Sequence, residues 1–150
     1  MSKIIRNAFY IFFPLIMGSI VGLAIRNFMD YETLVQPLLA PPGWLFPVAW
    51  SIIYLLMGIS YYLYKRDYDD DKDRIVYYTQ LFVNLLWSII FFVWKLRLFA
   101  FFWIILLDVL VIIMIKRFLN KKKIVAYLNI PYLLWILFAT YLTLSIYILN

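Results

Sequence analysis

The 150 residues include no cysteine and no histidine. Without cysteine there is no disulfide framework, no thiolate nucleophile and no thiolate metal site. Without histidine the usual general base near neutral pH is missing, as is the commonest metal and haem ligand. No bound metal and no cofactor are therefore expected. Acids are few, eight against fourteen lysines and arginines, and only Asp108 sits well inside an apolar run. No nucleophile stands beside a base, so hydrolytic or ordinary acid–base catalysis has no residues to work with. A net charge of +6 raises the question of nucleic acid, but the basic residues flank apolar stretches and form no basic stripe on a polar face. Nucleic-acid binding is not expected.

What the chain has is apolar and aromatic surface. Two thirds of it is hydrophobic (67%), 21% is aromatic and the mean hydropathy is +0.90. A small domain has too much surface to hide that many apolar side chains from water, so the bilayer is the expected solvent. Five stretches, near 4–26, 44–64, 75–94, 98–117 and 124–149, approach or exceed the roughly 20 residues that cross a bilayer. The expected fold is an all-α bundle of five transmembrane helices. A long loop, Asn27 to Gly43, would join the first two, and residues 1–150 would form a single domain. The first apolar run is too long for a cleavable leader and reads as a retained span. With alternate connectors assigned to opposite sides, eleven lysines and arginines fall on the N-terminal side and three, Arg26, Lys95 and Arg97, on the other. The positive-inside rule then puts the N-terminus in the cytoplasm. An integral protein of a bacterial plasma membrane suits that charge pattern.

Residues 41–61, PPGWLFPVAWSIIYLLMGISY, are the most informative segment. Pro41 and Pro42 make a stiff extended entry, and Pro47 falls where a first helical turn tolerates it. Trp50, Tyr54, Met57 and Tyr61 are spaced four, three and four apart and share one helix face. Such a stripe grips a flat, greasy ligand or packs against neighbouring helices. In the third span Gln80, Asn84 and Ser88 line one face with Trp87 and Phe91 beside them. Amides in hydrocarbon need partners, which are neighbouring helices or, for Ser88 and Asn84, a bound ligand. Asp108 is either an ionisable functional group or a neutral acid hydrogen-bonded to a neighbouring helix. In the fifth span Pro131 predicts a kink near the start. Beyond it Trp135, Ala139 and Leu142 share a face, where a large ring beside a small residue leaves a slot. Gly18 and Gly22 in the first span have a small-xxx-small spacing that suits internal packing or a dimer seam.

Several of these stretches resemble the translocator protein family, the TspO/MBR or tryptophan-rich sensory proteins. Pro41, Pro42, Trp44, Phe46, Trp50, Tyr54, Met57 and Gly58 fill its signature. Gln80, Leu81, Asn84, Trp87, Phe91 and Phe92 match its third helix, Trp103 and Asp108 its fourth, and Pro131, Tyr132, Leu133, Trp135 and Phe138 its fifth. Tyr31, Leu34 and Pro37 are similar to the family's loop, although Asp30 stands where the family has tryptophan and Gln36 where it has lysine. The family's C-terminal sterol pattern needs a basic residue after a tyrosine. Tyr147 is followed by Ile148, Leu149 and Asn150, so sterol binding is not carried over.

The resemblance implies a receptor or carrier for planar hydrophobic ligands, porphyrins or other tetrapyrroles foremost, with a pocket inside the bundle and often a homodimer. The ligand-binding residues it implies, together with the faces above, are Tyr31, Trp50, Tyr54, Asn84, Trp87, Ser88, Phe91, Trp135, Ala139 and Leu142. Two alternatives stand beside it. One is light-dependent porphyrin degradation, with Trp50, Trp135 and Tyr31 as the reactive side chains. The other is proton-coupled transport of small molecules centred on Asp108.

Overall fold

The computed structural model describes residues 1–150 as helices and connectors, with no strand. Helix α1 (Lys3–Ile25) starts at Ser2, whose hydroxyl accepts from the Ile5 amide at 3.2 Å. Helices α2 (Leu45–Asp67), α3 (Asp71–Ser88, continued to Val93 by one π-helical turn) and α4 (Arg97–Leu119) follow. The fifth span is split into a short α5 (Lys123–Tyr127) and α6 (Ile130–Leu149). Five segments are long and apolar enough to cross a membrane. A 23-residue helix measures about 34 Å, enough for a hydrocarbon core of about 30 Å. The molecule is an integral membrane protein of the five-helix kind the apolar runs predict.

The helices run past the apolar stretches, and charge explains why. Tyr68 to Asp70 alone separate α2 from α3, where the sequence reads as a ten-residue polar connector. Lys65 and Arg66 lie in the last turn of α2 and Asp71 and Asp73 in the first turn of α3, the signs that each helix end favours. Asp70 caps α3 by accepting from the amides of Lys72 at 2.8 Å and Asp73 at 3.3 Å. Behind the turn, the buried Asp73 carboxylate meets Arg117 and Lys121 from the end of α4 and accepts from the Tyr64 hydroxyl at 2.8 Å. Lys122 reaches Asp67 at 2.6 Å. These pairs fasten the α2–α3 turn to the α4–α5 turn.

In cross-section the helices close a ring. α1 packs on α2, α2 on α5 and α6, α6 on α4, α4 on α3, and α3 back on α1. The α1–α2 contact is close because of Gly58: a Cβ there would overlap the Ile11 carbonyl. Gly18 faces the ring of Tyr54 in the same way, whereas a Cβ on Gly22 would meet nothing within 4 Å. The glycine pair of α1 therefore serves internal packing at one position and borders open space at the other. The break between α5 and α6 falls just ahead of Pro131. A proline ring clashes with the carbonyl four residues back, here that of Tyr127, where α5 ends. Asn129 fills the gap, donating to Ser60 Oγ at 2.9 Å and to the Val125 carbonyl at 3.0 Å.

Inside the ring a polar chain ties three helices together. The Tyr54 hydroxyl donates to Asn84 Oδ1 at 2.6 Å, Asn84 Nδ2 donates to Tyr132 Oη at 2.9 Å, and Tyr132 donates to Gln80 Oε1 at 2.8 Å. Each group is buried. In a medium without water that satisfaction is what makes the polar side chains tolerable.

Candidate functional site

Between α1, α2, α3 and α6 lies a cavity of about 480 Å³, covered at one end by the loop after α1. This is within the usual range of ligand pockets. Of the ten ligand-binding residues expected from sequence, nine lie on its lining. Trp50 and Tyr54 come from α2, Trp87, Ser88 and Phe91 from α3, Trp135, Ala139 and Leu142 from α6, and Tyr31 from the loop. Asn84 does not reach it. Its amide stands behind Tyr54, with the oxygen accepting from Tyr54 and the nitrogen donating to Tyr132.

The walls are aromatic and their arrangement follows from helix periodicity. Trp50 stacks on Tyr54 one turn along α2, with centroids 5.4 Å apart and planes at 26°. Trp50 also meets Trp135 edge-on at 6.3 Å and 88°. Phe46, one turn before Trp50, touches Trp135 at 5.8 Å and Tyr31 at 4.9 Å. On the α3 side Trp87 stacks on Phe91 at 5.3 Å and 25°. Phe91 and Phe92, both within the π turn Ile89–Val93, line the cavity. Such turns recur at functional sites. Trp135 and Ala139, one turn apart on α6, both line the cavity.

The cover is held at several points. Tyr31 is buried and its hydroxyl donates to the Pro41 carbonyl at 2.7 Å. Burial, and then the neighbouring Glu32 carboxylate, raise the Tyr31 hydroxyl above its ordinary range, so it remains a proton donor. Glu32 Oε1 accepts from the Gly43 amide at 3.1 Å. The two positions that depart from the family pattern both have partners. Asp30 accepts from Arg97 at 2.9 and 2.7 Å, with Lys95 at 3.6 Å, and Gln36 donates to the Tyr31 carbonyl at 3.1 Å. Asn150 pairs both ends of its amide with the backbone of Val35 at 3.0 Å, and Tyr141 donates to the Leu38 carbonyl at 2.6 Å. The loop is an ordered lid tied to α6 and to the α3–α4 turn.

Asp108 lies away from the cavity, between α4 and α6. Its Oδ2 is 2.8 Å from Thr140 Oγ1, which is also 2.8 Å from the Ile136 carbonyl, and its Oδ1 is buried without a partner. Trp103, on α4 with it, donates to the Val83 carbonyl at 2.8 Å.

Sequence reasoning missed part of the lining. Phe46 was within reach, since it continues the four-residue spacing of Trp50 and Tyr54. Gly18 and Gly22 of α1 stood out by their spacing as packing or dimer residues and not as lining, and Arg26, in the turn after α1, had no such signal.

A bundle of five spans with an aromatic, lidded cavity between four of them defines a class of membrane protein, and the similarities of the sequence specify it. Residues 10–149 match the TspO/MBR family. The chain is 39% identical over 122 residues to the tryptophan-rich protein TspO of Archaeoglobus fulgidus, covering 80% of this chain and 79% of that one. It is 31% identical over 124 residues to protein CrtK of Rhodobacter capsulatus, covering 80% and 78%. It is 31% identical over 143 residues to the translocator protein homolog of Schizosaccharomyces pombe, covering 91% and 87%. The chain belongs to the TspO/MBR family.

Proposed function

We propose that this protein is a membrane receptor or carrier for planar hydrophobic molecules, porphyrins or other tetrapyrroles foremost, held in the cavity between α1, α2, α3 and α6. The observation that carries the reading is the convergence of Trp50, Trp135, Trp87 and Phe91 on one cavity under a tied lid. Aromatic pairs contribute about 0.5–1.5 kcal/mol each beyond area burial when their geometry is offset or edge-on, and a flat ring system offers such contacts on every side. The test is a titration of detergent-solubilised protein with protoporphyrin, followed by tryptophan fluorescence. Saturable quenching is expected, weakened about tenfold in Trp135→Ala, which corresponds to about 1.4 kcal/mol. Quenching that never saturates in the unaltered protein would remove the reading.

A second reading has one observation in its favour: Trp50, Trp135 and Tyr31 all border the same cavity, so a photo-excited porphyrin held there would touch all three. Under illumination the porphyrin would then bleach faster with the unaltered protein than with the Trp50→Phe, Trp135→Phe double variant. Equal rates would dismiss it. Proton-coupled transport centred on Asp108 lacks a comparable observation, since Asp108 is off the cavity lining.

The same proposal takes the chain as a single domain in a bacterial plasma membrane, with the charged knot of α2–α3 and α4–α5 in the cytoplasm and the lid outside. The chain has no cysteine of its own, so Val35→Cys and Ser2→Cys report sidedness cleanly. An impermeant maleimide added to intact cells should label the first and not the second, and the reverse pattern would invert the orientation. A homodimer, which the family resemblance implies, belongs to the same proposal; of the glycine pair, Gly18 faces the Tyr54 ring and Gly22 is exposed.

A further inference from the structure

Asp108 is the one acid that neither the lid nor the charged knot accounts for. It stands at the middle of α4 (Arg97–Leu119) and is only 7% exposed. It enters none of the molecule's ion pairs. α6 carries no charged side chain, and the cations of α4 stand at its ends. Of these, Arg97 pairs with Asp30 and Arg117 with Asp73, and Lys116 is about 12 Å away along the helix axis. The contact of Asp108 Oδ2 with Thr140 Oγ1 at 2.8 Å is the only hydrogen bond between α4 and α6. The other buried residues of α4 are apolar.

Counting hydrogens assigns the state of this acid. Thr140 has one hydroxyl hydrogen and two oxygens within reach, Asp108 Oδ2 and the Ile136 carbonyl, each at 2.8 Å. With Asp108 ionised, Thr140 must donate to it and the Ile136 contact has no hydrogen. A full charge would then sit in hydrocarbon on a single hydrogen bond, with Oδ1 buried and bare, which is a costly arrangement. With Asp108 neutral, both contacts have a hydrogen. The carboxyl O–H donates to Thr140 Oγ1, Thr140 donates to the Ile136 carbonyl, and Oδ1 is left as an uncharged C=O. We infer that Asp108 is held as the neutral acid and is a positioning residue for the cavity: its donation to Thr140 fixes α6 against α4. Thr140 directly follows Ala139, and Trp135, Ala139 and Leu142 of α6 line the cavity, whereas no residue of α4 does. A single polar contact in an apolar helix seam is a device that fixes register. This rests on the binding reading above and adds a residue, outside the lining, that sets the α6 wall.

Infrared spectra of the full-length protein in detergent at neutral pH test the proton directly. The unaltered protein should show the C=O stretch of an un-ionised carboxyl, shifted by isotopic labelling of aspartate and absent from Asp108→Asn. Protoporphyrin titrations of the same samples test the positioning. Asp108→Leu removes the donor, and an apolar side chain at such a site leaves the fold about as stable, so its thermal midpoint should hold. Its porphyrin affinity should fall about tenfold, the upper end of what one misplaced aromatic pair loses. Asp108→Asn keeps an N–H for Thr140 and should bind as the unaltered protein does. Thr140→Val keeps the shape and removes the acceptor, and should repeat the loss, so it carries the comparison if Asp108→Leu does not fold. A missing carboxyl band would overturn the inference and leave the binding reading standing. So would full affinity in a folded Asp108→Leu or Thr140→Val protein, or Asp108→Asn binding as weakly as Asp108→Leu. If the unaltered protein binds no porphyrin, the binding reading itself fails, and the positioning role with it.

Discussion

Asn84 illustrates how one side chain is assigned a role by its surroundings. Its amide bridges Tyr54 of α2 and Tyr132 of α6, so its oxygen and its nitrogen are each engaged by the bundle. Replacing it with leucine leaves two buried hydroxyls with fewer partners, each loss costing on the order of 1–3 kcal/mol. Asn84→Leu should therefore lower the thermal unfolding midpoint in detergent clearly, while weakening porphyrin binding less than Trp135→Ala does. An unchanged midpoint would show that the network contributes no stability. The polar stripe Gln80, Asn84, Ser88 was legible from spacing alone. The division within it was not, since only the fold shows that Gln80 and Asn84 face Tyr132 and Ser88 the cavity.

Among the elements, the most constrained contact is the one between α1 and α2. Gly58 lets the two backbones approach until its Cα lies against the Ile11 carbonyl. The obstacle to a side chain is backbone, which cannot rotate away. Gly58→Ala should destabilise the protein by about 2–3 kcal/mol, seen as a lower midpoint and faster hydrogen exchange in α1. Equal exchange in the variant would contradict the packing. The Met-Gly step was visible as part of the family signature, but its physical reason lies in a partner 47 positions away and needs the structure. The lid is a similar case. Asp30 and Arg97 are 67 positions apart, and no local pattern announces their pairing. The spans themselves were readable because hydrocarbon demands long apolar runs. Their ends were not, because helix caps and ion pairs at Asp70, Asp73 and Arg117 extend helices into sequence that reads as loop.

At the scale of the whole molecule the two ends differ in chemistry. One end is a knot of ion pairs, the other a lid over an aromatic cavity. Hydrogen bonding from Lys121, then from the amides of Lys72 and Asp73, holds the Asp70 carboxyl below its ordinary range. A depressed carboxylate stabilises the fold fully above its unfolded-state value and loses that contribution as pH falls through its folded-state value. Thermal midpoints should thus be flat from neutral pH down to about pH 5 and fall below about pH 4. Asp70→Asn should flatten part of that fall, and an identical acid profile in the variant would assign the loss elsewhere. The central claim is that ligand occupies the cavity, and Gly22 gives the cleanest access to it. It borders the cavity, and a side chain there meets nothing within 4 Å. Leucine in place of that helical glycine improves helix propensity by up to about 1 kcal/mol while filling the space a ring would need. The deciding measurement is the protoporphyrin titration of Gly22→Leu beside its thermal midpoint. Affinity at least tenfold lower with an undiminished midpoint is the predicted result. Unaltered affinity in a well-folded Gly22→Leu protein would place the ligand somewhere other than this cavity.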